Sequence, residues 1–154
     1  MVAIELEFFG RELTFINAFA ANDPESTSRI FTESKAKFGQ NRNIVLVINC
    51  RIDRPDRSKQ IAEMVSQFED IHRFVLIGSG TYIFAKSAIQ LGLDPALFVV
   101  AEGQSTEEIF EHLVESAGDS AMLFGVANIG GPGLDLVRFF KNRSRRVQMP
   151  AVAA

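Results

Sequence analysis

Three short stretches of this chain hold residue types that chemistry uses. The first, residues 49–58, reads N-C-R-I-D-R-P-D-R-S and sets Arg51, Arg54 and Arg57 among Asp53 and Asp56. An arginine fork matches a carboxylate or phosphate through two parallel hydrogen bonds, and a helix starting after the loop adds partial positive charge. Either this loop is an anion site, or its arginines are taken up by the two aspartates in an internal ion-pair network. Residue types favour neither. The second stretch, residues 127–133, reads A-N-I-G-G-P-G. Gly130 and Gly131 permit close backbone approach, and a helix beginning there offers free N–H groups to an anion. A tight strand-to-helix turn uses the same residues. The spacing fits neither a Walker phosphate loop nor the G-x-G-x-x-G dinucleotide fingerprint. The third stretch, residues 17–26, reads N-A-F-A-A-N-D-P-E-S. Polar side chains at such a junction cap a helix or hold a ligand.

Other reactive types are isolated. Gly78-Ser79-Gly80 is a weaker version of the glycine loop at 127–133, and a plain turn is the expectation there. His72 and His112 have no metal-ligand spacing with each other or with Cys50, and surface or capping roles suit them. Cys50 follows a strand beside the arginine loop, where a thiol can be activated, but an inert cysteine is the expectation. No Ser-His-Asp arrangement can be argued. The sequence therefore assigns no catalytic residue and no metal ligand.

The elements that must position these loops alternate. Apolar runs without period-2 alternation occur at 44–48, 74–77, 97–100 and 121–126, as in strands buried on both faces. Helical patterns lie between them. One opens at Asp23-Pro24 and stops near Gly39; Ile61, Met64, Val65 and Phe68 mark a second; residues 81–91 form a third. Ser105 to Glu108 is a capping box for a fourth that Gly118 ends, and a fifth covers about 133–141. Residues 4–8 alternate and turn back into 13–16, which predicts a β-hairpin. The expected fold is α/β: a Rossmann-like three-layer sandwich with a mostly parallel sheet and an N-terminal hairpin. Residues 1–142 form the single domain and 143–154 a flexible tail. Ligands of such sheets bind beyond the carboxyl ends of the strands, where all three stretches lie.

Bulk properties narrow the partners. The chain has 154 residues, 47% apolar and 23% charged, which suits one soluble domain. A net charge of -3 argues against nucleic acid. One cysteine excludes an intramolecular disulfide framework and fits a reducing compartment. No run reaches the roughly 18 apolar residues of a membrane span. The expected location is the cytoplasm, with room for peripheral docking at the inner face of the membrane.

Residues 19–24, F-A-A-N-D-P, resemble the Asp-Tyr-Ala-His-Asn-Pro signature that opens the C-terminal domain of Mur ligases and folylpolyglutamate synthetases. Ala21 stands at its histidine, and Asp23 is inserted before its proline. Taken with V-I-N-C-R-I-D-R-P-D-R-S, G-V-A-N-I-G-G-P-G and F-F-K-N-R, the pattern resembles the C-terminal region of the poly-γ-glutamate synthase ligase family (PgsB/CapB), over about residues 3–143. That resemblance implies ATP-dependent amide ligation: a terminal carboxylate becomes an acyl phosphate, and the amine of a glutamate attacks it. It implies nucleotide contacts at Asn17 and Asn22, glutamate contacts at Arg51, Arg54 and Arg57, and a further substrate-side loop at Asn128, Gly130 and Gly131. The chain has no G-x-x-x-x-G-K-[ST] loop. It is expected to be the closing domain alone, cut from a longer chain or encoded separately, and inactive by itself. ATP and magnesium would bind through an ATPase domain N-terminal to it. Glutamate or poly-γ-glutamate and a membrane-embedded synthase subunit are the other expected partners. Two competing readings are a non-catalytic Rossmann-like module for a nucleotide or acidic metabolite, and an interaction domain whose arginine loop grips an acidic partner.

Overall fold

The computed structural model describes residues 2–21, 23–144 and 146–148. A hairpin comes first: β1 (Val2–Phe8) pairs antiparallel with β2 (Arg11–Asn17). Phe8 faces Arg11, so the turn is Phe9-Gly10, both at positive φ (47° and 79°), as a two-residue hairpin of this twist requires. Strands and helices then alternate: α1 (Pro24–Phe38), β3 (Asn43–Cys50), α2 (Pro55–Val65), β4 (Arg73–Gly78), α3 (Thr81–Gln90), a 3-10 turn at Pro95–Leu97, β5 (Phe98–Val100), α4 (Thr106–Ala117), β6 (Ser120–Ala127) and α5 (Pro132–Arg143).

The strands form one seven-stranded sheet in the order β5-β4-β3-β6-β2-β1-β7. The five from β5 to β2 are parallel. Successive residues of β3 divide between the faces. Ile44, Leu46 and Ile48 pack with α1, α2 and α3, while Val45 and Val47 pack with α4 and α5. Burial on both faces is why this strand reads as an unbroken apolar run. The phenylalanines weld the layers: Phe31 of α1 meets Phe124 of β6 edge-on, and Phe15 of β2 stacks on Phe140 of α5 at 4.5 Å.

One expectation changes. Residues from 143 on were read as a tail. Instead Arg143 completes α5, its guanidinium 3.6 Å from the centre of the Phe139 ring. Residues Arg146–Gln148 form β7, antiparallel to β1. Without β7, the outer edge of β1 would present a row of unpaired N–H and C=O groups, and three residues suffice to pair part of it. Residues 149–154 lie outside the described residues.

Strand order also fixes where a ligand can sit. From β3 the chain moves outward to β4 and β5, then returns through α4 on the opposite face to place β6 on the other side of β3. The crevice between the carboxyl ends of β3 and β6 is the switch point of the sheet.

Candidate functional site

At that switch point lies a cleft of about 580 Å³, lined by Asn49, Arg51, Ser79, Ser105, Gly131 and Asp135 among others. Asn49 lines it and is held by Asn128, which lies outside the lining. Asn49, 1% exposed, donates its amide to the carbonyls of Asn128 (2.5 Å) and Gly130 (2.9 Å). Asn128 returns the bond, its side chain donating to Asn49 O at 2.8 Å and its backbone at 3.3 Å. The arginine loop and the glycine loop therefore lie side by side at one edge, as the parallel strands dictate. Two glycines allow the closeness. A Cβ on Gly78 would stand 2.1 Å from Cys50 O, and one on Gly133 would stand 2.6 Å from Asn49 Nδ2.

The N-termini of α4 and α5 line the cleft, and the chain caps several of the helix starts along this edge itself. Ser105 and Glu108 complete a capping box on α4. Glu102 reaches across to α3, accepting from Thr81 N at 2.9 Å and Thr81 Oγ1 at 2.7 Å. These bonds, the hydroxyl's first, hold the Glu102 carboxyl below its ordinary value. Asp23 caps α1 by accepting from Ser26 N at 2.8 Å, which lowers its pKa in turn. By contrast α2 and α5 begin with proline and have no side-chain cap.

The three arginines have three fates. Arg51 lines the cleft, and its fork makes two bonds to Asp53, at 3.0 and 2.7 Å; hydrogen bonding to Arg51 is the main reason the Asp53 carboxyl titrates low. The ion-pair reading of the loop thus holds for Arg51 and Asp53, with both side chains largely in solvent. Arg54 is exposed and makes no ion pair among the described residues. Arg57 lies off the cleft. Its Nη2 donates to Ala21 O at 3.2 Å and Ala127 O at 2.9 Å, so its head group serves two backbone carbonyls where a substrate carboxylate was expected.

Asn17 ends β2 at the same edge, outside the cleft lining, and its Oδ1 accepts from Phe19 N at 3.2 Å in a tight local turn. Asn22 lies outside the described residues. Gly130 and Gly131 both line the cleft, with nothing of this chain within 4 Å of where a Cβ would be. Cys50 is 3% exposed, and burial, with Glu102 nearby, pushes its thiol up to about 12; it is inert at neutral pH. His112 meets Gln104, a cleft residue, at 2.7 Å. Sequence reasoning missed Asn49 and Glu102, and it favoured a plain turn at Gly78. For Gly78 the only signal was its place at a strand end, which a turn explains equally well.

The donors suit an anion: an arginine fork, an uncapped helix start and bare glycine backbone face one space. They do not suit magnesium. Asp135 is the single carboxylate lining the cleft, and among the described residues no group of three His, Cys, Asp or Glu side chains could hold a metal ion. Among the described residues, too, no helix is long and apolar enough to cross a membrane.

Comparisons with known proteins agree with this architecture. MurF from Acinetobacter baumannii superposes over 87% of this chain and 30% of its own, with a TM-score of 0.51 and 13% identity. A domain of a candidate UDP-N-acetylmuramate:L-alanyl-gamma-D-glutamyl-diaminopimelate ligase from Haemophilus ducreyi covers 89% of this chain and 98% of that one, at TM-score 0.50 and 14% identity. At such identities the likeness establishes the fold, that of the Mur ligase C-terminal domain. In sequence, the chain is 35% identical over 124 residues to PGA synthase CapB of Bacillus subtilis (strain 168), and 36% identical over 125 residues to the capsule biosynthesis protein CapB of Bacillus anthracis. Each match covers 80% of this chain but only 31% and 26% of the relative, so the chain spans less than a third of either. The family profile described as "Poly-gamma-glutamate synthase CapB C-terminal domain" matches residues 4–143. Hairpin, switch-point cleft and arginine loop all fall within that match, and the chain belongs to the CapB C-terminal domain family of poly-gamma-glutamate synthases.

Proposed function

We propose that this chain is the closing domain of an ATP-dependent amide ligase of the poly-γ-glutamate synthase type, and that its cleft receives the carboxylate of an incoming glutamate. The observation that carries the reading is Arg51 and the uncapped start of α5 facing one cleft at the switch point. The Arg51–Asp53 pair is exposed, so its net worth is small and a substrate carboxylate can take the place of Asp53. Arg54 adds positive charge beside it, while Gly130 and Gly131 leave backbone bare for close approach. Asn128 would orient the glutamate from the other loop, with Asn17 and Asn22 meeting nucleotide from the loop after β2. ATP with magnesium, held by an ATPase domain, supplies the phosphoryl group that activates the terminal carboxylate. The residues of this chain bind and orient the glutamate and exclude water when the two domains close.

Arg51→Lys tests this in the ligase that carries the domain. Lysine keeps the charge and loses the fork, so the KM for glutamate should rise about tenfold, with the KM for ATP unchanged. Wild-type glutamate kinetics would leave Arg51 as half of an ion pair and nothing more. The purified chain alone should show no magnesium-dependent ATP hydrolysis. Hydrolysis that disappears on mutating a residue of this chain would overturn the closing-domain reading.

A further inference from the structure

The geometry points to Arg57 as a positioning residue that ties the loop after β2 to the loop after β6, so that the two sides of the site move together. Its single Nη2 bridges Ala21 O, in the loop after β2, and Ala127 O, at the last residue of the neighbouring strand β6 where the next loop begins. Ala127 needs such a restraint. Its φ is +86°, in the left-handed region that costs an L residue conformational energy and persists only where surroundings enforce it. The enforcement comes from two directions. On one side Arg57 of α2 holds the Ala127 oxygen; on the other, Asn49 of β3 accepts two bonds from Asn128, the next residue. The start of the loop after β2 is anchored to β6 as well. Phe19 is 1% exposed and lies over Gly125 of β6, so closely that a Cβ there would come within 2.5 Å of its ring. Ala18 N also donates to Gly125 O at 2.9 Å. Arginine stays protonated at neutral pH, so the bridge is a charge-assisted one.

A ligand role for Arg57 predicts something different. A ligand arginine, when removed, weakens one substrate and leaves the loops in place. A tie, when removed, loosens both loops and weakens both substrates.

Amide hydrogen exchange on the purified chain separates these. Arg57→Gln should speed exchange at residues 18–21 and at residues 127–131 together, by about tenfold, the effect of losing hydrogen bonds to a charged donor. Amides of β3 and β4 should keep their protection. Faster exchange in one loop alone, in neither, or equally throughout the core would each overturn the proposal. If Arg57→Gln does not fold, Arg57→Lys takes its place, with the same paired change expected at smaller size. A second readout rests on the ligase reading above: in the ligase, Arg57→Gln should raise the KM for both ATP and glutamate, whereas Arg51→Gln should raise that for glutamate alone. A rise for glutamate only would make Arg57 a ligand and sink the tie. Paired loop exchange in a protein that ligates no glutamate would uphold the tie and reject the ligase reading.

Discussion

Among the described residues, five α-helices meet the carboxyl edge of the sheet in two ways. Helices α1, α3 and α4 begin under an acidic or hydroxyl side chain of the chain itself, from Asp23, from Glu102, and from Ser105 with Glu108. Helices α2 and α5 begin with proline and no cap. The division follows topology. The capped helices come after β2, β4 and β5; the uncapped ones come after β3 and β6, the two strands that flank the switch point. A carboxylate of the chain at a helix start neutralises its partial positive charge and anchors the element. Helices α2 and α5 lack such a cap, so their first N–H groups are left without a side-chain acceptor, although Asp56 and Asp135 stand in their first turns. On the function proposed above, stability and binding would fall to different helices of one edge.

Glycine replacements break this contrast most sharply. Gly78 sits at φ +90°, with the Cys50 carbonyl where its Cβ would go. Strain and overpacking together should cost Gly78→Ala roughly 2–6 kcal/mol, a large part of the stability of a domain this size. Gly131 meets nothing within 4 Å but has φ +57°, so Gly131→Ala should lose about 1–3 kcal/mol from backbone strain alone. Gly130→Ala has neither problem and should stay within about 0.5 kcal/mol of the wild type. Urea unfolding of the three variants gives the ranking. A Gly130 variant as damaged as the Gly78 variant would mean that the cleft loop, not the packing of β4 on β3, dominates the edge.

The strands were legible because burial on both faces leaves an unbroken apolar signature. The runs at 44–48, 74–77 and 121–126 all fall inside β3, β4 and β6. Caps local in sequence were legible too: Asp23 and the Ser105–Glu108 box act within three residues of themselves. What escaped was every role decided by a distant partner. Glu102 caps a helix that starts 21 residues earlier, and Asn49 bonds to carbonyls 79 and 81 residues away. Three arginines of one loop look alike on paper. In space one turns to Asp53, one to solvent and one to Ala21 and Ala127, because loop sequence does not fix which way a long side chain points. Gly130 and Gly131 stand together in sequence, while the closest contacts belong to Gly78, Gly125 and Gly133.

Asn49 sharpens the comparison at intermediate cost. It is the buried link between the two uncapped regions, donating to Asn128 O and Gly130 O. Asn49→Ala leaves both carbonyls without that donor, which should cost about 1–3 kcal/mol. Asn128→Ala should cost less, because Asn49 can still reach both carbonyls and the Asn128 backbone N–H still reaches Asn49 O. Chemical denaturation of the two variants gives the order. Equal losses would show that the link depends on both side chains alike.

The smallest effect is a pH dependence at the capped helices. Asp23 and Glu102 titrate below their ordinary values because N–H and hydroxyl groups at helix starts bond to their charged forms. For a carboxylate depressed by folding, the stabilising contribution is complete above its unfolded pKa and disappears as pH falls through the folded one. The caps on α1 and α3 should therefore weaken as the pH drops below about 4, with no change between pH 6 and 8 from this cause. Glu102→Gln can still accept from Thr81 but carries no charge. It should melt lower than the wild type at neutral pH, and the gap should narrow on acidification, as it should for Asp23→Asn. Asn17→Ala, which removes an uncharged acceptor 3.2 Å from Phe19 N, should change the melting temperature equally at both pH values. Thermal melts at neutral pH and near pH 3 make the comparison. A constant gap for the Glu102 variant would mean that Thr81 is held by geometry and not by charge, and α3 would then join α2 and α5 among the helices that draw no stability from a charged cap.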